Sequence, residues 1–321
     1  MTAPGPKSSL RWLEARVQAE GEAAEAISEL FNRLGTGGAV LEELVADGQA
    51  DDAGRQYWIK AYLPVHTPEE EAEQRRRIAE GLWHLAQLRE LGEPEFRLLA
   101  DEDWAEAWKA SYKPLSIGRR VVIKPSWCEW QAQPGQIVIE LDPGQAFGTG
   151  LHPSTQLCLL GLEDYSRPAQ TVLDLGTGSG ILAIVAARLG AGRILAVDID
   201  PLAVEVAEEN VRLNGVWEQI VVAQGSLPPR DANDRAVAEA AGRLAPAGFD
   251  LMLVNILAEV IVEMLRRDLA RWLAPGGVMI TAGIIRERQA LVESELAAAG
   301  LAIIERRQQG DWISLVAQKS A

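Results

Sequence analysis

Asp174, Asp198 and Asn255 each interrupt or directly follow an apolar run of the chain. At the end of a buried strand, such a carboxylate or carboxamide is placed to accept hydrogen bonds from a ligand. Open α/β sheets bind ligands outside the carboxyl ends of their strands. Between the first two lies Gly176-Thr177-Gly178-Ser179-Gly180. Glycines there let the backbone turn sharply and approach a ligand closely, because no Cβ intervenes. The N–H groups of a helix that starts at such a turn favour a carboxylate or phosphate. An acidic residue that ends the next strand, as Asp198 does, is placed to hold a ribose.

The elements that must position these groups are a strand (Val172 to Leu175), a helix running through Leu189, and a second strand (Ile194 to Val197). This unit opens a doubly wound α/β domain. Glycine spacing separates its two ligand classes. Dinucleotide sites use G-x-G-x-x-G, whereas this run is G-x-G-x-G with Asp174 ahead of it. That pattern resembles the S-adenosyl-L-methionine loop of Rossmann-like methyltransferases, with the turn receiving the methionine end. A nicotinamide-dependent oxidoreductase is the competing reading.

Downstream, Asp200-Pro201 starts a helix through Arg212, and a strand from Ile220 to Ala223 delivers Gln224-Gly225-Ser226, where an adenine ring can lie. Residues 227–248 are rich in Pro, Asp, Arg and Ala and read as an inserted loop with room for a short helix. The apolar strand Phe249 to Val254 then presents Asn255-Ile256-Leu257-Ala258. A helix (Glu259 to Leu273), the turn Pro275-Gly276-Gly277, a strand (Val278 to Ala282), a helix (Arg286 to Ala299) and strands Ala302 to Gln308 and Trp312 to Ala317 complete a seven-stranded arrangement.

Upstream of the glycine unit, Pro143-Gly144-Gln145-Ala146-Phe147-Gly148-Thr149-Gly150-Leu151-His152-Pro153 is too rich in glycine and proline for regular structure. It reads as a lid over the ligand, ending on a helix capped by Ser154 or Thr155. His152 in this loop reads as a structural histidine before a general base. Two strands, Gly118 to Pro125 and Gln136 to Leu141, precede the lid.

Residues 8–100 keep a separate rhythm of strand, helix, two strands, helix and strand, the order of a ferredoxin-like sandwich. The long charged helix runs from Thr67 to Leu91. Asp101 to Tyr112 reads as a connecting helix with Trp104 and Trp108 on one face. The expected organisation is a small α+β domain over residues 1–100, a linker over 101–116 and a seven-stranded Rossmann-like domain over 117–321.

Bulk properties narrow the function classes. The net charge of −15 repels nucleic-acid phosphates and attracts a basic partner. No apolar run approaches the roughly 20 residues of a membrane span, and the first residues lack the apolar core of a signal peptide. Two cysteines and three histidines suggest neither a disulfide framework nor a metal cluster. The expectation is a cytoplasmic, metal-free protein without stable nucleic-acid binding.

Taken together, the lid Pro143 to Thr155, the loop Leu173 to Gly180, the run Val197-Asp198-Ile199-Asp200-Pro201 and Asn255-Ile256-Leu257-Ala258 resemble one family in order and spacing. It is the PrmA family, bacterial methyltransferases of large-subunit ribosomal protein L-eleven. Asp103-Trp104, Trp108-Lys109 and Lys113-Pro114 are similar too; residues 1–95 match mainly in layout, and 227–248 depart from shorter members. The resemblance implies S-adenosyl-L-methionine as cofactor, with Thr155, Gly176, Asp198 and Asn255 in contact with it. Asp174, Gly178, Phe147 and Ser226 join them as candidate contacts, and Asn255 is the candidate catalytic residue. It also implies methylation of lysine side chains and the N-terminal α-amine of that ribosomal protein, gripped by the N-terminal domain. A methyltransferase for another protein or small amine, and a non-catalytic adenosylmethionine-binding protein, are the alternatives.

Overall fold

The computed structural model describes residues 10–35, 39–44, 56–87, 91–100, 109, 112–142, 148, 150–230 and 234–321. The chain divides into two compact units, Met1–Lys113 with Pro143–Gln145, and Pro114–Asp142 with Ala146–Ala321.

In the first unit the elements are β1 (Arg11–Glu20), α1 (Gly21–Leu34), β2 (Val40–Leu44), β3 (Gln56–Val65), α2 (Pro68–Ala86) and β4 (Glu95–Ala100). Alternate residues of β1 and β3 face each other across the antiparallel ladder: Leu13 opposite Leu63, Ala15 opposite Ala61, Val17 opposite Ile59. All six are buried against Ile27 and Phe31 of α1 and Ile78 and Leu82 of α2. This period-of-two face fixes the register, since a one-residue slip would turn the apolar set to solvent. The sheet order β2-β3-β1-β4 is that of the ferredoxin-like sandwich. Thr67 caps α2 by accepting from the Glu70 N–H at 3.1 Å, and Pro68 occupies the first turn. The helix ends at Ala86, short of the expected Leu91, which packs against the same core from outside the helix. The expected connecting helix with Trp104 and Trp108 lies outside the described residues.

The second unit begins with β5 (Leu115–Ile117), β6 (Val121–Lys124) and β7 (Ile137–Glu140). The single strand expected from Gly118 is instead a hairpin, with Gly118 at φ +62 in the turn. Glu163 holds that turn by accepting the N–H groups of Arg119, Arg120 and Val121. There follow α3 (Pro153–Tyr165), β8 (Thr171–Leu175), α4 (Ile181–Arg188), β9 (Arg193–Asp198), α5 (Pro201–Leu213), β10 (Ile220–Gln224), α6 (Asp234–Leu244), β11 (Phe249–Asn255), α7 (Ala258–Arg266), β12 (Leu273–Ile285), α8 (Gln289–Ala298), β13 (Leu301–Gln309) and β14 (Trp312–Lys319). The seven-stranded order is β10-β9-β8-β11-β12-β14-β13, with β14 antiparallel to its neighbours. Its central strands are largely apolar because both faces are covered. Ile194, Ala196, Leu251 and Leu253 face one core, and Leu195, Val197, Met252 and Val254 the other.

The inserted segment carries the short helix it had room for, and one turn departs from expectation. Residues 234–244 form a helix whose Val237 and Ala241 bury with Leu195 and Val197. The parallel connection from β10 to β11 passes over two strands, and a helix is what covers their apolar side chains. Pro275-Gly276-Gly277 lies inside β12, as an irregularity where the pairing with β11 shifts register.

Candidate functional site

β8 delivers the chain into three glycines in left-handed backbone, Gly176 at φ +75, Gly178 at φ +54 and Gly180 at φ +83. Only glycine takes such a succession without strain. Gly176 and Thr177 both donate their N–H to the Val197 carbonyl, at 2.8 and 3.0 Å, which ties the turn to the neighbouring strand. A Cβ on Gly176 would collide with the Ile256 side chain, so the ends of β8 and β11 close upon each other. Beneath the turn Asp174 is fully buried. Its Oδ2 accepts from Thr177 Oγ1 at 2.6 Å and from the Ala183 N–H at 3.1 Å, while Oδ1 has no partner. Burial pushes its carboxyl up to about 7, against the two hydrogen bonds that favour the charged form. A ligand cation beside Oδ1 would restore the carboxylate.

Asp198 ends β9, where its Oδ2 accepts from the Gly178 N–H at 2.9 Å and its Oδ1 from the Asp200 N–H at 3.0 Å. The carboxylate therefore shapes the glycine turn as well as facing any ligand there. One strand further out, Gly225 donates its N–H to the Asp198 carbonyl at 2.8 Å. Ser226 follows, buried, with its Oγ unpartnered.

At the start of α3 the cap is His152 rather than Ser154 or Thr155, because Pro153 already occupies the first helical position. His152 Nδ1 accepts from the Ser154 N–H at 3.2 Å and lies 2.7 Å from Ser154 Oγ. An Nδ1 that accepts a backbone N–H carries no proton, so the neutral ring is protonated at Nε2. Its ring meets the Trp312 ring edge-on at 4.6 Å. Burial pushes this imidazole down to about 4, so it is neutral at physiological pH and serves as a structural cap. Thr155, buried in the same first turn, accepts from Asn255 Nδ2 at 3.3 Å. That bond turns Asn255 Oδ1, also buried, into an acceptor without a partner.

Of the residues singled out from sequence, Asp174, Gly176, Gly178, Asp198, Ser226 and Asn255 stand at the carboxyl ends of β8, β9, β10 and β11 or in the turns that leave them. Thr155 is joined to them through Asn255. Phe147 lies outside the described residues. Of the lid, Gly148 anchors to the glycine turn, its carbonyl accepting from Ser179 Oγ at 2.7 Å.

Two contributors were not singled out. Thr177 braces Asp174, and Asp234 holds Ser226 through the Ser226 N–H at 2.8 Å. Thr177 lies inside the glycine motif and was readable as one of its two hydroxyl-bearing members, with Ser179. Asp234 carries no local signal, because its role depends on α6 returning to β10.

Unpartnered buried acceptors are costly unless a ligand or water completes them. Those of Asp174, Ser226 and Asn255 belong to three strand ends of one sheet. A ligand with several separated donors fits them, and S-adenosyl-L-methionine offers an ammonium, ribose hydroxyls and an adenine amino group. Among the described residues no cluster suits a metal ion, and no helix is long and apolar enough to cross a membrane.

Comparison with known proteins agrees with this geometry. The family profile described as ribosomal protein L11 methyltransferase (PrmA) matches residues 11–320. The chain is similar to the ribosomal protein L11 methyltransferase of Chloroflexus aurantiacus, at 47% identity over 95% of this chain and 97% of that protein. Its counterpart from Pelotomaculum thermopropionicum is 43% identical over 97% of this chain and all (100%) of its own. Among solved structures, the ribosomal protein L11 methylase of Lactobacillus delbrueckii subsp. bulgaricus superposes with a TM-score of 0.56 at 35% identity, covering 65% of this chain and 100% of that one. A match over nearly the whole chain, on a fold whose strand ends carry these acceptors, places the protein in the ribosomal protein L11 methyltransferase (PrmA) family.

Proposed function

We propose that this protein transfers methyl groups from S-adenosyl-L-methionine to amino groups of ribosomal protein L11, its lysine side chains and N-terminal α-amine. The observation that carries the reading is the family match over residues 11–320. The unsatisfied acceptors at the strand ends supply its chemistry. The bound cofactor supplies an electrophilic methyl group on a sulfonium.

The chain's own residues have two tasks. One is to hold the donor: Gly176 and Gly178 admit the methionine end, Asp174 meets its ammonium, Asp198 the ribose, and Ser226 the adenosine side. The other is to present a neutral amine in line with the methyl group. With an ordinary pKa of about 10.4, neutralising a lysine at pH 7 costs about 4.6 kcal/mol. Desolvation favours the neutral form, and the exposed Leu257 beside the half-buried Ile256 offers apolar surface next to Asn255. Asn255 Oδ1, left open by the bond to Thr155, accepts an amine N–H and so directs the lone pair. His152 is unsuited to strip a proton from an ammonium, since its basicity is suppressed and Nδ1 is engaged.

We assign the ferredoxin-like unit to substrate recognition: it has its own core and presents none of the strand-end acceptors. Incubating the protein with ribosomal protein L11 and radiolabelled cofactor, followed by mass spectrometry, tests the reading. Label on L11 amines is expected. Cofactor binding with no transfer to L11 would overturn the substrate assignment.

A further inference from the structure

Ala207 and Asn210 of α5, and Asn214 at its end, follow one another at helical spacing, and all three are buried. Apolar side chains are the ordinary filling of such a stripe. A buried carboxamide costs free energy unless it is hydrogen-bonded, and both asparagines spend their bonds on main chain outside the helix.

Asn214 serves the small sheet. β7 is its outer strand, in the order β5-β6-β7. Leu141 donates its N–H inward to the Lys124 carbonyl at 2.9 Å, so the N–H and carbonyl of Glu140 point to the open edge. Asn214 takes both, as a neighbouring strand would: Oδ1 accepts the Glu140 N–H at 2.9 Å, and Nδ2 donates to the Glu140 carbonyl at 2.7 Å. Asn214 Nδ2 also donates to the Asn210 carbonyl at 2.9 Å, which joins the two asparagines.

Asn210 serves the glycine turn. Its Nδ2 donates to the Ser179 carbonyl at 2.8 Å, and the buried Ser179 hydroxyl donates to the Gly148 carbonyl at 2.7 Å. Ala207 packs under the same turn, where a Cβ on Gly180 would meet its Cα and Cβ at 3.4 Å. Gly148 stands at φ +106, and a Cβ on it would approach Ser179 Oγ to 2.8 Å, so only glycine lets the main chain lie this close. Asn210 and Asn214 are one helical turn apart. From that single turn the chain is held at Glu140 and at Gly148, the two points between which residues 141–147 run.

We propose that Asn210 and Asn214 are positioning residues for cofactor binding: through Ser179 and Glu140 they fix both points before any ligand arrives, so that Gly148 already lies on the glycine turn when the methionine end enters it. The proposal rests on the cofactor reading above. It adds that affinity depends on chain ordered in advance by α5, since ordering it during binding subtracts from affinity.

Hydrogen–deuterium exchange of the full chain, with and without S-adenosylhomocysteine, joined to calorimetry, tests it. In free Ser179→Ala and free Asn210→Ala, the peptide that begins at Gly148 should exchange about fivefold or more faster than in the free wild-type protein. The ligand should bring both variants to within about twofold of the liganded wild type. Affinity should fall about five- to tenfold, the scale of one buried hydrogen bond. The double variant should bind within about twofold of the weaker single, because both changes release the same contact. Asn214→Ala should speed exchange by a similar factor in the peptide that ends at Glu140. Ser179→Ala deletes one oxygen, and it decides the proposal if the asparagine variants do not fold. Wild-type exchange or wild-type affinity in Ser179→Ala would overturn it. Faster exchange spread over α5 and β9 that the ligand does not restore would reduce the asparagines to a brace of the fold. Failure of the wild-type protein to bind S-adenosylhomocysteine would instead defeat the cofactor reading.

Discussion

Replacing Asp198 by alanine removes two kinds of interaction at once, and the structure separates them. Its carboxylate accepts from the Gly178 N–H at 2.9 Å and the Asp200 N–H at 3.0 Å, so it organises the glycine turn before any ligand arrives. A hydrogen bond to a charged group contributes about 1.5–3 kcal/mol, and a donor left without its acceptor costs about 1–3 kcal/mol if it stays buried. Both donors sit at a partly open surface where water replaces the lost acceptor in part, so Asp198→Ala should lower stability by about 1–2 kcal/mol. Cofactor affinity should fall by about 1–3 kcal/mol, or about 5- to 150-fold, through the charge-assisted bonds to the ribose. Asp198→Asn retains one acceptor but turns an amide toward the other N–H, so it should lie between the two. The assay is calorimetry with S-adenosylhomocysteine on variants whose thermal unfolding remains cooperative. Unchanged affinity in folded Asp198→Ala would refute the placement of the ribose. A stability loss without an affinity loss would reduce Asp198 to a brace of the turn.

Asn255→Ala should depress kcat more than cofactor affinity if Oδ1 orients the amine, by about tenfold or more in single-turnover rate; equal losses would assign Asn255 to holding the cofactor. The His152 imidazole, pushed down to about 4, lies below its unfolded value of about 6.5. Its contribution is complete above that value and lost as pH falls toward 4, because the unfolded chain binds the proton first. His152→Asn, which keeps a capping acceptor, should therefore show a shallower fall in melting temperature over this window. The raised Asp174 carboxyl, which acts in the opposite sense, is present in both proteins; an identical slope would contradict the assignment. A chain of residues 101–321 should fold, bind S-adenosylhomocysteine within about threefold of the full protein, and methylate L11 at least about a hundredfold more slowly. Methylation at the full rate would remove the recognition role from the first hundred residues.

Much of the fold was legible because its signals are local. Alternation in Leu13, Ala15 and Val17, and in Ile59, Ala61 and Leu63, marks strands buried on one face. Unbroken apolar runs such as Leu251 to Val254 mark strands buried on both. Thr67 before Pro68 and Asp200 before Pro201 mark helix starts, since cap and first-turn geometry depend on adjacent residues. The glycine turn was legible for the same reason, and with it Asp174, Gly176 and Gly178 as residues to examine.

What the sequence determined by itself was therefore the order of elements and the residues at the strand ends, since period and turn chemistry are written within a few positions. Tertiary structure decided what those residues are free to do. Thr155 and Asn255, a hundred positions apart, meet only once α3 and β11 pack, and that meeting leaves Asn255 Oδ1 open. His152 is a neutral cap because packing against Trp312 and the helix start withdraws it from water. Residues 234–244 are rich in alanine, with Val237, Ala241 and Leu244 at helical spacing, and what packing decides is that this helix covers the apolar side chains of β9. Asp234, at the start of that helix, reaches back 8 residues to the Ser226 N–H, a contact no periodic pattern encodes because burial and satisfied hydrogen bonds belong to the assembled layers.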